Sequence, residues 1–370
     1  MFLSTYQQSI FRSLLAPRIK STSIRSPHLS SGLLVIAMLI GLTGCSSERH
    51  QAPQTTDKNP TNQTAAEKVV INQAFENLLY ICLYVAKDGG FFKEQGLDVD
   101  IQTGGGDAQA FAALTSGKAD FAQGDPAFVA ISSEKGWNGK ILGMVVDRAA
   151  LWGVSLKKTI KPFSDPEGFR NLTVATFPEP NTSYVIQKQL DQRAHLILGK
   201  DTKILQTVYG TEAAALKNGQ ADIAQMLEPN VSLMEKEGAD IVFSYPDVWG
   251  PIAFTGITAS EKTVKEKPKM VQKFVNAYEK ALQYVHTNLE GTTDIAAKRF
   301  PNIPRPILKQ ALTRAMKAKV FPEHLVVDKT AWQKLLQIRI EIGDLQKMPD
   351  DTKLIDNSFA EKAVLDQQSK

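Results

Sequence analysis

The stretch Leu114–Pro126, L-T-S-G-K-A-D-F-A-Q-G-D-P, returns one lobe later as Leu216–Pro229, L-K-N-G-Q-A-D-I-A-Q-M-L-E-P. In both copies an Ala-rich helical pattern ends at a glycine (Gly117, Gly219). An Ala-Asp pair follows, and a short apolar run leads to an acid and a proline. The spacing predicts helix, tight turn, strand, and a loop that opens the next helix. The matching extends outward. Strand-like Val69–Phe75 answers Leu172–Phe177, Leu97–Gln102 answers Lys203–Val208, and Lys140–Val146 answers Ala239–Tyr245. Two runs of β-α-β-α-β-α-β, with strands too short and apolar to alternate, imply an α/β chain of two lobes, each a largely parallel, doubly covered sheet. Right-handed crossovers place the strand-to-helix loops of each lobe on one edge, where ligands of such sheets bind. Two such edges facing each other enclose a cleft.

The N-terminus has a separate logic. Arg12, Arg18, Lys20 and Arg25 precede the apolar run Gly32–Gly44, which at about a dozen residues is too short for a mature span and reads as a signal peptide over residues 1–44. Those four cations account for the net charge of +4; without them cations and acids balance at 39 each, which argues against nucleic acid as a partner. Residues 46–68 are polar and aperiodic, a flexible tether with a reach of roughly 25 Å. The one cysteine beyond residue 45 is Cys82, in an apolar stretch, which reads as a buried small hydrophobe. No H-E-x-x-H, G-x-S-x-G or Walker A pattern occurs, and the five histidines are scattered, so neither a metal nor a cofactor is expected.

The run Leu83–Ile101, L-Y-V-A-K-D-G-G-F-F-K-E-Q-G-L-D-V-D-I, resembles the N-terminal signature of ABC-transporter substrate-binding proteins of the nitrate/sulfonate/taurine and thiamine-precursor class. The G-K-A-D-F-A run, L-W-G-V-S-L at Leu151–Leu156, the E-P loop and the long helix after Pro268 extend the resemblance from about Val69 to Asp344. Leu42-Thr43-Gly44-Cys45 likewise resembles a lipobox, which implies lipidation at Cys45 and a membrane-anchored, extracytoplasmic lipoprotein. The resemblance implies a two-lobed periplasmic-binding-protein type II fold, two doubly wound sheets joined by two crossover strands. It also implies a monomer that closes on a small organic solute and delivers it to an ABC permease with its cytoplasmic ATPase. The domains expected are signal peptide 1–44, tether 45–68, lobe 1 over 69–152 with 254–345, lobe 2 over 153–253, and a polar tail 346–370 that frays. Two other functions compete: an enzyme related to thiamine-pyrimidine synthesis, disfavoured by the leader and the single internal Cys82, and the ligand-sensing lobe of a signalling receptor.

Candidate ligand contacts lie on the strand exits. In the first lobe they are Asn77 and Tyr80 after the first strand, Gly105, Gly106 and Asp107 in a glycine-rich loop where Asp107 is placed to cap a helix, and Asp125. In the second they are Thr182, Ser183 and Tyr184 at a helix N-terminus, and Glu228. Trp152 and Trp249 flank the two crossings, where a ring can stack on a ligand. Asp120 and Asp222 start their strands at the opposite edge and read as turn-stabilising. Asp125 and Glu228 each precede a proline that opens a helix, so capping competes with ligand contact. Arg148 is the only cation that the sequence places near the cleft. Unpaired acids in a closing cleft call for a cationic or donor-rich partner, which favours a nitrogen-bearing organic solute; the resemblance favours anions such as sulfonates, held at helix N-termini.

Overall fold

The computed structural model describes residues 65–369. The leader, Cys45 and most of the tether lie outside the described residues. The chain begins with β1 (Glu67–Gln73), α1 (Ile81–Asp88), α2 (Phe91–Glu94), β2 (Leu97–Thr103), α3 (Asp107–Thr115), β3 (Phe121–Gly124), α4 (Ala127–Ser133) and β4 (Gly139–Arg148). The second run comprises β5 (Trp152–Ser155), β6 (Thr173–Thr176), α5 (Thr182–Arg193), β7 (Lys203–Gln206), α6 (Glu212–Lys217), β8 (Ile223–Met226), α7 (Asn230–Lys236), β9 (Asp240–Ser244) and α8 (Tyr245–Trp249). Strand β10 (Pro251–Ser260) returns to the first sheet, followed by α9 (Glu261–Glu266), α10 (Pro268–Thr287), α11 (Leu289–Arg299), α12 (Arg305–Lys317), α13 (Lys329–Glu341), α14 (Asp351–Leu354) and α15 (Ser358–Gln368).

The two sheets are ordered β2-β1-β3-β10-β4 and β7-β6-β8-β5-β9, the same arrangement twice. In each, the strand inserted beside the third is the one that has crossed from the other lobe, and it runs antiparallel to its neighbours. The sheets are therefore mixed, each with one antiparallel strand donated by the crossing. The first crossing is only Ala149–Leu151, so the second sheet already begins at Trp152.

The repeat is reproduced down to single hydrogen bonds. Helices α3 and α6 both end on a left-handed glycine, Gly117 (φ 73°) and Gly219 (φ 67°), a conformation that costs a side-chain-bearing residue. Lys118 N–H then reaches back to Ala113 O and Gln220 N–H to Ala215 O, both at 2.9 Å. Asp120 accepts from Val70 N–H at 3.0 Å and Asp222 from Thr173 N–H at 2.7 Å, so each repeated acid ties the start of the third strand to the first. The strands that follow both carry a fully buried glutamine bonded to a tyrosine: Tyr278 OH donates to Gln123 at 2.6 Å, and Gln225 donates to Tyr245 OH at 2.7 Å.

Helix α10 lays Met270, Val271, Phe274, Tyr278, Ala281, Leu282 and Val285 into the first lobe's core, where Phe274 stacks on Phe121 at 4.1 Å. Cys82 is buried there too, and burial pushes its thiol well above the ordinary range. The expected fraying of the tail is corrected. Leu354 is buried, Ile355 bridges to Ile141 of β4, Lys140 Nζ donates to Thr352 O and Lys353 O, and α15 buries Ala360 and Ala363 against α10. A polar sequence concealed a few apolar residues at the right spacing, and these suffice to dock it.

Candidate functional site

The strand exits of β1 and β3 face those of β6 and β8. Between them lies a narrow cavity of about 30 Å³, room for little more than a water molecule while the lobes are closed, so a solute enters only as they part. The first lobe contributes Phe75, Leu79, Tyr80, Asp107, Asp125, Phe254 and Thr255; the second contributes Phe177, Asn181, Thr182, Ser183 and Leu227. The lobes touch around it. Phe75 stacks on Tyr209 at 4.4 Å and approaches Phe177 at 5.9 Å, while Asn77 Nδ2 donates to Tyr209 OH. Phe75 and Phe177 occupy equivalent places just past the first strand of each repeat, so the repeat itself brings two aromatic rings together across the cleft, tilted by 46°.

The polar wall is largely committed to the protein. Asp125 Oδ1 accepts from Ala127 N–H at 2.8 Å, capping α4, and its Oδ2 is held by Thr182 Oγ1 and by Arg339 Nη2. Ser183 Oγ accepts from Phe177 N–H at 2.9 Å. Asp107 does not cap its own helix, whose N-cap is Gly106; its Oδ1 accepts from Asp125 N–H at 2.9 Å. Among the described residues no donor occupies Asp107 Oδ2. Burial, and then the Asp125 carboxylate, raise the Asp107 pKa above the usual carboxylate range. Tyr80, buried beside it, has its phenol pushed up by burial and then by Asp107. Asp107 and Tyr80 are the titratable cavity groups left to face a solute, beside the Thr255 hydroxyl and Asn181 Oδ1.

Arg339 is what the sequence reading missed. It lies on α13 more than 200 residues from Asp125, is 0 % exposed, and also donates to Pro180 O at 2.9 Å and Asp344 at 2.6 Å. Burial alone disfavours its charge, but Asp125 and Asp344 outweigh that and keep it protonated. Arg148, the cation placed near the cleft from sequence, instead lines an outer crevice with Asp147, His286 and Lys319.

Of the residues singled out from sequence, Tyr80, Asp107, Asp125, Thr182 and Ser183 line the cavity. Asn77 caps the turn beneath it, accepting from Leu79 N–H, and Gly105 and Gly106 form the loop that delivers Asp107. Tyr184, the next residue along α5, is not part of the lining. Glu228 and Trp152 line a second void with Leu312, Ala315 and Phe321 instead. There Glu228 is held by Arg314, by Ser232 Oγ at 3.0 Å and by Ser232 N–H at 3.1 Å; burial raises its pKa, and Arg314 opposes the rise. Trp249 is away from the cavity as well: its ring lies under the Arg193 guanidinium at 4.4 Å, with Lys334 on its ring and carbonyl. The acids Asp125 and Glu228 thus have arginine partners inside the protein, so they give no reason to expect a cationic solute.

No helix among the described residues is long and apolar enough to cross a membrane, and no group of three or more His, Cys, Asp or Glu among them is placed to hold a metal. The chain is 24% identical over 306 residues to the curated Bacillus subtilis (strain 168) protein titled "Putative binding protein YtlA", covering 80% of this chain and 90% of that one. Solved structures similar to it include the periplasmic nitrate-binding protein NrtA from Synechocystis PCC 6803, with a TM-score of 0.66, 15% identity and coverage of 82% and 90%. They also include the periplasmic aliphatic sulphonate binding protein SsuA from Escherichia coli, with a TM-score of 0.63, 16% identity and coverage of 78% and 97%. The desulfurization enzyme DSZB shares the fold too, at a TM-score of 0.61 and 13% identity, covering 81% of this chain and 99% of that one. These likenesses show the two-lobed periplasmic-binding-protein fold. Residues 77–290, more than half of the chain, match the family model described as NMT1/THI5 like, and the chain belongs to that family.

Proposed function

We propose that this protein is the solute-binding component of an ABC importer, capturing a small organic molecule between its lobes and handing it to a permease. The observation that carries the reading is the cavity itself, walled by strand exits of both sheets, with aromatic rings from each lobe meeting at its edge. The relatives described as nitrate-, sulphonate- and otherwise solute-binding proteins support it. The state of the polar groups favours capture over catalysis. Ser183, Thr182 and Asp125 are consumed by hydrogen bonds within the protein, and the Cys82 thiol is buried in the core of the first lobe.

Asp107 and Tyr80, set among Phe75, Phe177, Leu79, Leu227 and Phe254, suit a solute with a flat apolar body and one N–H donor or cationic group. Such a group would pair with Asp107 Oδ2, which is half-buried at the cavity and takes no hydrogen bond from another described residue. A thermal-shift panel on the purified protein tests this. A solute at a hundred times its dissociation constant adds about 2.7 kcal/mol, a shift of a few degrees. Nitrogen-bearing aromatic solutes should raise the melting temperature; a panel in which only sulfonates or inorganic anions do so would assign the site to anions.

The leader and Leu42-Thr43-Gly44-Cys45 support an extracytoplasmic location for this binding protein, with a tether by lipid on Cys45. Labelled fatty acid should enter the wild type and not Cys45→Ser; a Ser variant that still takes up label would contradict the anchor.

A further inference from the structure

Two arginines of the C-terminal helices take up the two repeat-equivalent acids, Asp125 and Glu228, and both reach from one lobe to the other. Helix α13 packs mainly on β10, with α4 of the first lobe and α5 of the second beside it, and α12 packs mainly on α11, with α7 of the second lobe on its other side. The segment between them is stitched to β4 through Met144 N–H to Leu325 O at 2.7 Å and Asp147 N–H to Val320 O at 3.1 Å. The helices therefore move with the first lobe, but their polar ends bind the second.

On one side of the cleft, Arg339 joins Asp125 of the first lobe to Pro180 O of the second at 2.9 Å, and Thr182 of the second lobe closes on the same Asp125 oxygen. Gln189 of α5 adds a bond to Glu341 at 2.7 Å. On the other side, Arg314 binds Glu228 and Glu235 of the second lobe and Ser232 Oγ at 3.0 Å, and Gln310 donates to Glu235 at 3.0 Å.

We propose that Arg314 and Arg339 are a pair of interlobe latches that hold the two lobes together without solute, so that the resting protein is predominantly closed. The two are unequal. Opening the lobes breaks every bond of Arg314 to the second lobe, whereas Arg339 keeps Asp125 and Asp344 and loses only the Pro180 carbonyl and the Thr182 contact. Arg314 is therefore the stronger determinant of closure, and Arg339 chiefly secures the cavity wall. This inference does not depend on what the solute is.

The test is a pulsed dipolar distance measurement in the full chain, after unfolding and dialysis have removed any bound small molecule and the protein has been refolded. Spin labels go on Gln109→Cys in the first lobe and Val208→Cys in the second, both exposed. The unsubstituted background should show mainly the short distance; Arg314→Gln should lower the ratio of closed to open molecules by about tenfold, and Arg339→Gln with Asp125→Asn by less. Replacing Arg339 and Asp125 together removes both charges of the fully buried pair, and Glu235→Gln, at a half-buried partner of Arg314, is a milder variant that keeps the fold. An open distribution in the solute-free parent, or distributions unchanged in Arg314→Gln and Glu235→Gln alike, would overturn the latch.

Discussion

The two lobes are alike at the edge away from the cleft and different at the edge that faces it. At the far edge, Asp120 and Asp222 make the same bond to the first strand, and each also meets a lysine, Lys267 or Lys157. At the near edge, Asp125 faces the cavity and is neutralised by a fully buried arginine, whereas Glu228 turns to a separate void and pairs with Arg314, itself 19 % exposed. A repeat that has kept its folding contacts and changed its tips shows which acids hold the fold and which shape the site.

Breaking the difference should give the largest effect. Arg339→Met leaves Asp125 buried without its cation and should cost about 3–5 kcal/mol in urea unfolding, while Arg314→Met, whose ion pair water can reach, should cost about 1–2 kcal/mol. Equal losses would mean that the two ion pairs are not distinguished by the exposure of their arginines. Breaking the likeness should give smaller and matched effects. Asp120→Ala and Asp222→Ala each orphan one strand N–H and should cost about 1–3 kcal/mol. A gap between them wider than about 0.5 kcal/mol would argue that the repeat is only apparent.

The smallest effect concerns the second lobe alone. Asp191 is buried on α5, receives one bond from Gln187 at 2.9 Å, and burial pushes its pKa up to about 7. Because the folded state binds this proton more tightly than the unfolded chain, Asp191 costs nothing below the unfolded pKa, and stability falls as the pH rises from the usual carboxylate range to about 7. Asp191→Asn should flatten that fall and stabilise the protein at pH 8 by on the order of 1 kcal/mol. A variant whose melting temperature keeps the wild-type pH dependence would show that Asp191 titrates normally.

The sequence was most legible where neighbours decide the structure. Helix ends at Gly117 and Gly219, the far-edge position of Asp120 and Asp222, the caps at Asp125 and Glu228, and the two crossings follow from residues a few positions apart or from the repeat, whereas the bonds of Asp120 and Asp222 to the first strand, about 50 residues away, do not. The pairing of Phe75 with Phe177 was also within reach, since the matched strands end on them. Arg339 and Arg314 were not, because a charged residue on an amphipathic helix reads as solvated until the helix is placed over the cleft. The same reason misplaced Trp249, whose position at a crossing says nothing of the cations that cover it, and Arg148, which lines a separate crevice. The tail failed differently: Leu354, Ile355, Ala360 and Ala363 are too few to outweigh a polar run when no surface is in view for them to meet.

The central claim is that the cavity at Asp107 and Tyr80 holds a small solute. Native mass spectrometry of the gently purified full chain tests it most directly, comparing the wild type with Asp107→Ala. The wild type should carry a small-molecule mass that is released on denaturation, and the variant, with the open carboxylate removed, should lose it. A wild type that gains no mass from any solute in the panel, or a variant that retains the same solute undiminished, would contradict the site.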